Sequence, residues 1–162
     1  MVICALNAHS AARLAGRFDK EYLAIVNGVY KEGGTIDKPI YRPDPIKTYR
    51  TIDERGDYAI THYEPEEVGE NYTVVRVRLE TGRTHQIRVH MSYTGHALLG
   101  DEVYSKNKTQ FEKKHPQLFS GQALHAKRLT LTHPKTGERM TFECDLPTEF
   151  EKALDLLRKE QN

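Results

Sequence analysis

The 162 residues carry a net charge of +1, with 38% hydrophobic and 29% charged side chains, the balance of a soluble globular chain long enough to bury a core. No apolar run approaches the ~18 residues a bilayer span needs, and no charged-then-apolar leader is visible, so a cytoplasmic location without a membrane partner is expected. Cys4 and Cys144 lie far apart without zinc-knuckle or CxxC spacing and read as free thiols of a reducing compartment.

Residues 7–18 are rich in alanine, with Ala11, Leu14, Ala15 and Phe18 at helical spacing and Asn7 placed as a cap. Residues 22–26 suit a buried strand and Gly33-Gly34 a turn, while Pro39, Pro43 and Pro45 make residues 37–46 a loop. Residues 47–52 and 58–63 read as strands joined by a turn at 53–57. In residues 72–79, Val75, Val77 and Leu79 alternate with Arg76 and Arg78, the strongest strand pattern in the chain. Residues 84–94 carry a helical pattern, and 98–116 read as a charged loop. Residues 123–131 and 139–144 predict a hairpin across the turn at 133–137. Residues 149–160 predict a closing amphipathic helix, with Phe150, Leu154 and Leu157 on one face and Thr148 and Glu151 spaced as a capping box. Strands followed by isolated helices, without βαβ alternation, predict an α+β fold: a mixed, mostly antiparallel sheet flanked by helices, in one domain over residues 1–162.

Charge is unevenly spread. Residues 1–80 hold 11 Lys/Arg against 13 Asp/Glu, residues 81–139 hold 10 against 4 with six of the eight histidines, and residues 140–162 hold 3 against 6. A basic face built from the middle block attracts a polyanion, because neutralising phosphates releases counterions. On charge alone, a nucleic-acid partner and a solvated basic surface both stay open.

The helix expected at 84–94 concentrates the chemistry. Ile87 and Met91 fall on one side and can anchor it, while His85, Arg88 and Ser92 share a neighbouring face that can line a cleft. An anchored Arg88 can hold a carboxylate in a bidentate grip or neutralise a phosphate, and Arg83 at the preceding turn is a second phosphate candidate. His85 and His90 point about 140° apart with no glutamate between them, unlike a metal-binding helix pair, so no metal is expected. Neither a GxSxG elbow nor a phosphate-binding glycine loop is present.

The run Leu79–Leu99 continuing to Ser105, LETGRTHQIRVHMSYTGHALLGDEVYS, resembles the long signature of RluA-type RNA pseudouridine synthases. It departs at Ala97, where that family usually has Pro, and at Ser105, where Gly is usual. Lys20-Glu21-Tyr22 with the following LAIVNG resembles the family's K-x-Y-x-A-x-V-x-G segment, ALHAKRLTLTHP from Ala123 its L-H-A strand, and NAHSAA from Asn7 the start of the helix after its active-site loop. The resemblance covers nearly the whole chain. It implies isomerisation of uridine to pseudouridine in rRNA or tRNA, with no cofactor or metal, on a nucleotide drawn out of its stack. By position, Arg88 matches the arginine that pairs with the catalytic aspartate. Tyr22 matches the tyrosine that packs on the target base and takes part in proton transfer, and Leu124 the apolar residue on the other side of the pocket. Arg83 and His85 become RNA-facing candidates. Structural roles stand beside each: a fold-stabilising ion pair for Arg88, core filling for Tyr22 and Leu124, local turn hydrogen bonds for Arg83 and His85.

The family's nucleophilic aspartate lies in an H-R-L-D loop just before the helix that starts here near Asn7, and no HRLD string occurs in the 162 residues. Family members also carry several more residues where this chain runs through Phe18-Asp19. The resemblance therefore implies a catalytic domain without its N-terminal portion, inactive alone, with Arg88 lacking its partner and Asp101 holding only a turn. An open sheet edge left by the missing strands invites homo-oligomerisation. The alternative is a non-catalytic RNA-binding remnant.

Overall fold

The alternation around Val75 and Val77 sets the centre of the molecule. The computed structural model describes residues 1–161. Its elements are α1 (Ala8–Leu14), β1 (Phe18–Asn27), β2 (Gly34–Asp37), β3 (Ile40–Tyr41), β4 (Thr51–Ile52), β5 (Ile60–Val68), β6 (Tyr72–Leu79), α2 (Gln86–Tyr93), α3 (Gln110–Lys114), β7 (Leu124–Thr132), β8 (Arg139–Glu143) and α4 (Thr148–Lys159). Six strands form one sheet in the order β2-β5-β6-β1-β7-β8, and β3-β4 form a separate ribbon. Neighbouring strands all pair antiparallel, giving the expected α+β architecture.

Successive side chains of a strand point to opposite faces, so the central pair β1 and β6 builds two cores at once. On one face Leu23, Ile25, Tyr72 and Val74 meet Phe150, Ala153, Leu154 and Leu157 of α4. On the other, Ala24, Val26, Val75 and Val77 meet Ile87 and Met91 of α2 together with Leu98. Each fully buried side chain of this size contributes about 1.5–3 kcal/mol, so Ile87 and Met91 anchor the helix that carries the candidate site to the sheet.

At one end of β1, the segment after α2 returns to the sheet. The Leu99 N–H donates to the Ile25 carbonyl at 2.9 Å, and the Ala123 N–H donates to the Leu99 carbonyl at 2.7 Å. This insertion carries Gly100 and Asp101 underneath α2. Gly100 has φ +74°, and a Cβ there would lie 2.3 Å from the Gly121 carbonyl oxygen, so this approach of the two segments requires glycine.

Several local expectations change. The helix at the N-terminus is only α1, and none of its residues is buried; Phe18 instead opens β1, which needs an extended backbone. Asn7 does cap it, accepting from the Ser10 N–H at 2.8 Å. Residues 37–46 are not wholly loop: Asp37 ends β2, and Ile40–Tyr41 pair with Thr51–Ile52. Residues 47–52 and 58–63 consequently do not pair with each other, because β5 is taken by β2 and β6. The stretch 98–116 contains α3, whose capping box is Thr109 and Glu112. The box expected at Thr148 is absent. Pro147, extended at φ −61° and ψ 145°, occupies the cap position of α4 and makes no side-chain cap bond, which moves Thr148 into the first turn.

Candidate active site

The turn from β6 into α2 is knit by one amide. Gln86 is 2% exposed. Its Nε2 donates to the Ile60 carbonyl at 2.8 Å and to Thr61 Oγ1 at 3.1 Å, and its Oε1 accepts from Arg83 N–H and Thr81 Oγ1, both at 2.9 Å. These bonds tie the start of α2 to β5 and leave no part of the buried amide unpaired. His85 follows the turn at φ 58°, the only non-glycine residue with positive φ among those described. Left-handed backbone costs a side-chain-bearing residue roughly 1–2 kcal/mol, and here it rotates the imidazole out of the helix line toward Tyr104.

His85, Arg88 and Ser92, the face read from the sequence as cleft-lining, all converge on the turn Asp101–Tyr104. Arg88 Nε donates to Asp101 Oδ2 and its Nη2 to Asp101 Oδ1, each at 2.7 Å. The Arg88 side chain is 12% exposed and that of Asp101 0%. The Arg88 guanidinium also lies over the Tyr104 ring, 4.9 Å from its centroid. Ser92 Oγ donates to the Tyr104 carbonyl at 2.7 Å, and His85 Nδ1 lies 2.8 Å from the Tyr104 hydroxyl. Arg88 is thus gripped along one edge by a carboxylate and supported beneath its plane by an aromatic ring. The carboxylate that Arg88 holds is Asp101, which does more than the turn-holding expected of it; the nucleophilic aspartate implied by the resemblance is a different residue, absent from the 162 residues.

Asp101 does hold that turn as well, since its Oδ1 accepts from the Val103 and Tyr104 N–H groups, both at 3.1 Å. Burial pushes its carboxyl up, but the Arg88 hydrogen bond and these backbone donors outweigh it, and the net value lies below the ordinary one. The hydrogen bonds that Arg88 donates to Asp101 in turn raise Arg88. Burial lowers His85, with further repulsion from Arg88 and Arg50. The imidazole is therefore neutral at pH 7, and its Nδ1 shares a hydrogen bond with the Tyr104 hydroxyl, whose oxygen also accepts from the Arg50 N–H at 3.0 Å. The carboxylate of Glu112 fixes the approach from the other side, accepting from the Gly100 N–H at 2.8 Å and the Thr109 N–H at 2.7 Å. Beside Arg88 and Asp101 opens a cleft of about 500 Å³, rimmed by Lys106, Lys108, His115, Ser120 and Gln122.

Tyr22 and Leu124 lie on the sheet face that α2 covers, packed against the cluster containing Ile87. Tyr22 pairs with Ala126 and Ala24 with Leu124, so the two side chains are diagonal neighbours across strands. Burial raises the Tyr22 phenol, which keeps it protonated at neutral pH. Arg83 is exposed at the turn, its Nε donating to the Tyr58 carbonyl at 3.0 Å. His90 stands apart from His85, wholly buried. Its Nε2–H donates to the Lys38 carbonyl at 2.9 Å and its Nδ1 lies 2.8 Å from Thr61 Oγ1. Among the described residues no group of three or more His, Cys, Asp or Glu is placed to hold a metal. Gln86, Asp101 and Tyr104 are the residues sequence reasoning undervalued; the available signal was the HQIR string for Gln86 and the GDEVY string for the other two.

Burial holds both His90 and His85 below the ordinary imidazole value. Each contributes stability that is complete above about pH 6.5, where the unfolded histidine is neutral, and is lost as pH falls through the depressed folded-state value. Urea unfolding between pH 7 and pH 5 is expected to show this decline, with His90→Gln flattening it. Unchanged slopes in that variant would remove His90 from the account.

The structure is an α+β domain whose helix α2 sets an ion-paired arginine beside an open cleft. The chain matches the family described as RNA pseudouridylate synthase over residues 1–93, more than half of its length, and belongs to that family. It is 42% identical over 148 residues to the ribosomal large subunit pseudouridine synthase D of Haemophilus influenzae, covering 88% of this chain and 46% of that protein. To the protein of the same name in Pseudomonas aeruginosa it is 41% identical over 170 residues, covering 99% of this chain and 50% of the relative. The chain therefore spans about half the length of these relatives. Since 170 aligned positions exceed the 162 residues present, the relative also carries residues with no counterpart here. The solved structure of human RNA pseudouridylate synthase domain containing 1 superposes with a TM-score of 0.74 at 26% identity, covering 97% of this chain and 73% of that one. No helix among the described residues is long and apolar enough to cross a membrane.

Proposed function

We propose that the chain carries the arginine half of a pseudouridine synthase active site, acting in the cytoplasm on uridine in ribosomal or transfer RNA. The supporting observation is the orientation of Arg88. Asp101 engages Nε and Nη2, and Nη1 takes no part in that grip, so one arginine can bridge the buried carboxylate behind it and a nucleophilic carboxylate in front. The clamped guanidinium would hold the nucleophile ionised and aimed, stabilising the negative charge it carries before attack. Tyr22, kept neutral by burial, supplies a flat face for the base and a proton-bearing hydroxyl, while Leu124 extends the apolar wall beside it. Arg83 and His85 at the rim face the RNA backbone. Chemistry requires that an aspartate loop of the HRLD kind be joined to this half, because none lies within the 162 residues.

The alternative reading is a non-catalytic RNA-binding remnant. Tritium release from 5-³H-uridine-labelled rRNA or tRNA separates the two. Release by the chain, abolished in Arg88→Ala, establishes catalysis; RNA binding without release assigns the remnant; neither binding nor release overturns both. The further proposed partner is a second copy of the chain. The edge strand β8 leaves one side of its backbone unpaired in the sheet order and carries Phe142, 43% exposed. Sedimentation of the chain is expected to show a concentration-dependent dimer that Phe142→Lys dissolves, and a monomer at all concentrations would remove this partner.

A further inference from the structure

Beyond the residues already placed at the site, the loop between β3 and β4 builds a surface over Tyr104. Pro43, Pro45 and the arginines on either side hold it in shape. Arg42 donates to the carbonyls of Pro45 and of Lys47, the latter at 3.2 Å, and Arg50 Nη1 donates to those of Lys47, Thr48 and Tyr49 at 3.4, 2.8 and 3.0 Å. Asp44 caps the turn by accepting from the Ile46 N–H at 2.9 Å. Within the loop the carbonyls of Pro45, Lys47, Thr48 and Tyr49 are thus satisfied locally, and the Arg50 N–H ties its end to the Tyr104 hydroxyl at 3.0 Å. At its end sits Tyr49, stacked on Tyr104 with ring centroids 5.5 Å apart and planes inclined by 21°.

Tyr49 is nevertheless 43% exposed. Its ring rests on the ring that supports Arg88, and part of the side chain stays open to solvent. Beside it, Lys47 extends a side chain that is 75% exposed and only distantly paired, 3.9 Å from Asp44. Between residues 42 and 50, three cations stand against one carboxylate. An aromatic held rigidly from below, open above and flanked by positive charge has the composition of a stacking platform for a base of single-stranded nucleic acid. A protein partner would be served better by a contiguous apolar patch, whereas Tyr49 is flanked in the chain by Lys47, Thr48 and Arg50, and the loop's one large exposed aliphatic side chain is Ile46, 90% exposed.

We propose that Tyr49 is a base-stacking subsite for an unpaired RNA nucleotide next to the one engaged at Arg88, with Lys47 taking an adjacent phosphate; this rests on the RNA reading given above. The contact Tyr49–Tyr104–Arg88 couples it to the site: a base stacked on Tyr49 presses on the same ring that orients the guanidinium.

The test uses the whole 162-residue chain and a short single-stranded oligoribonucleotide bearing 2-aminopurine, whose fluorescence is quenched on stacking. Wild type and Tyr49→Phe are expected to bind with similar affinity and quench the probe. Tyr49→Leu keeps an apolar side chain on Tyr104 without an aromatic face, and is expected to bind about 10-fold more weakly with the quench lost, within the range for one base–aromatic stack. Its salt dependence is expected to match wild type, while Lys47→Ala lowers the slope of log K against log salt by about 0.7. Tyr49→Leu that binds and quenches like wild type overturns the platform alone. Wild type that binds no RNA overturns the RNA reading, and the platform falls with it. Binding of a protein ligand that is lost in Tyr49→Leu and not competed by RNA overturns the assignment of the partner.

Discussion

Asp101→Asn is expected to lower the unfolding free energy by about 3–5 kcal/mol at pH 7, the usual cost of removing one partner from a buried pair. The substitution changes little in size, yet leaves the Arg88 guanidinium, 12% exposed, without the carboxylate that neutralises it. It also weakens acceptance from the Val103 and Tyr104 N–H groups. Urea titration of the wild type and variant measures the loss. The double variant Arg88→Met with Asp101→Asn is expected to recover part of it, because the stranded charge is then gone. A single variant within about 1 kcal/mol of wild type would show that the pair is solvated in the native state, as exposed pairs of that small worth are. Acid should act in the same direction. Because Asp101 is held below its ordinary value, the contribution of the pair is complete above about pH 4, where the unfolded aspartate is ionised, and is lost as pH falls through the folded-state value.

How much of this arrangement the sequence carried depends on the range of the interactions involved. Residues 72–79 were legible to the residue, because a central strand pattern is a local signal: Val75 and Val77 alternate with Arg76, and the strand has neighbours on both sides. The helix carrying Arg88 was equally visible, since Ile87 and Met91 needed only the period of an α-helix to be assigned inward. The ribbon of β3 and β4 was not, because its strands are two residues each and owe their existence to tertiary contacts rather than to any pattern. At the site, periodicity placed His85, Arg88 and Ser92 on one face, but could not say what that face meets. Their common partner, the turn at Asp101–Tyr104, lies 13 residues from Arg88 along the chain. It is brought back only by the insertion of Leu99 between Ile25 and Ala123, a long-range event without a local signature. The resemblance named one partner for Arg88 by motif, a nucleophilic aspartate that is not among the 162 residues, and the fold supplies a different carboxylate, Asp101, by topology.

The two-carboxylate reading of Arg88 makes Arg88→Lys the sharper test of function than truncation to alanine. Lysine keeps the positive charge, so long-range attraction of RNA and the salt dependence of binding should stay close to wild type. What it loses is the planar fork. An ammonium can face Asp101 or a second carboxylate, but cannot hold both in fixed in-plane geometry as Nε, Nη2 and Nη1 can. It also loses the flat contact with the Tyr104 ring. In the protein form that releases tritium from 5-³H-uridine RNA, Arg88→Lys is therefore expected to lower the single-turnover rate by about 100- to 1000-fold, the scale for removing a preorganised electrostatic group, with RNA affinity changed less than about 3-fold. Tyr104→Phe, which keeps the ring but removes the hydroxyl bonded to His85 and to the Arg50 N–H, should lower the rate far less. A rate for Arg88→Lys within a few-fold of wild type would mean that charge alone suffices at this position, and the bridging geometry would have no part in catalysis.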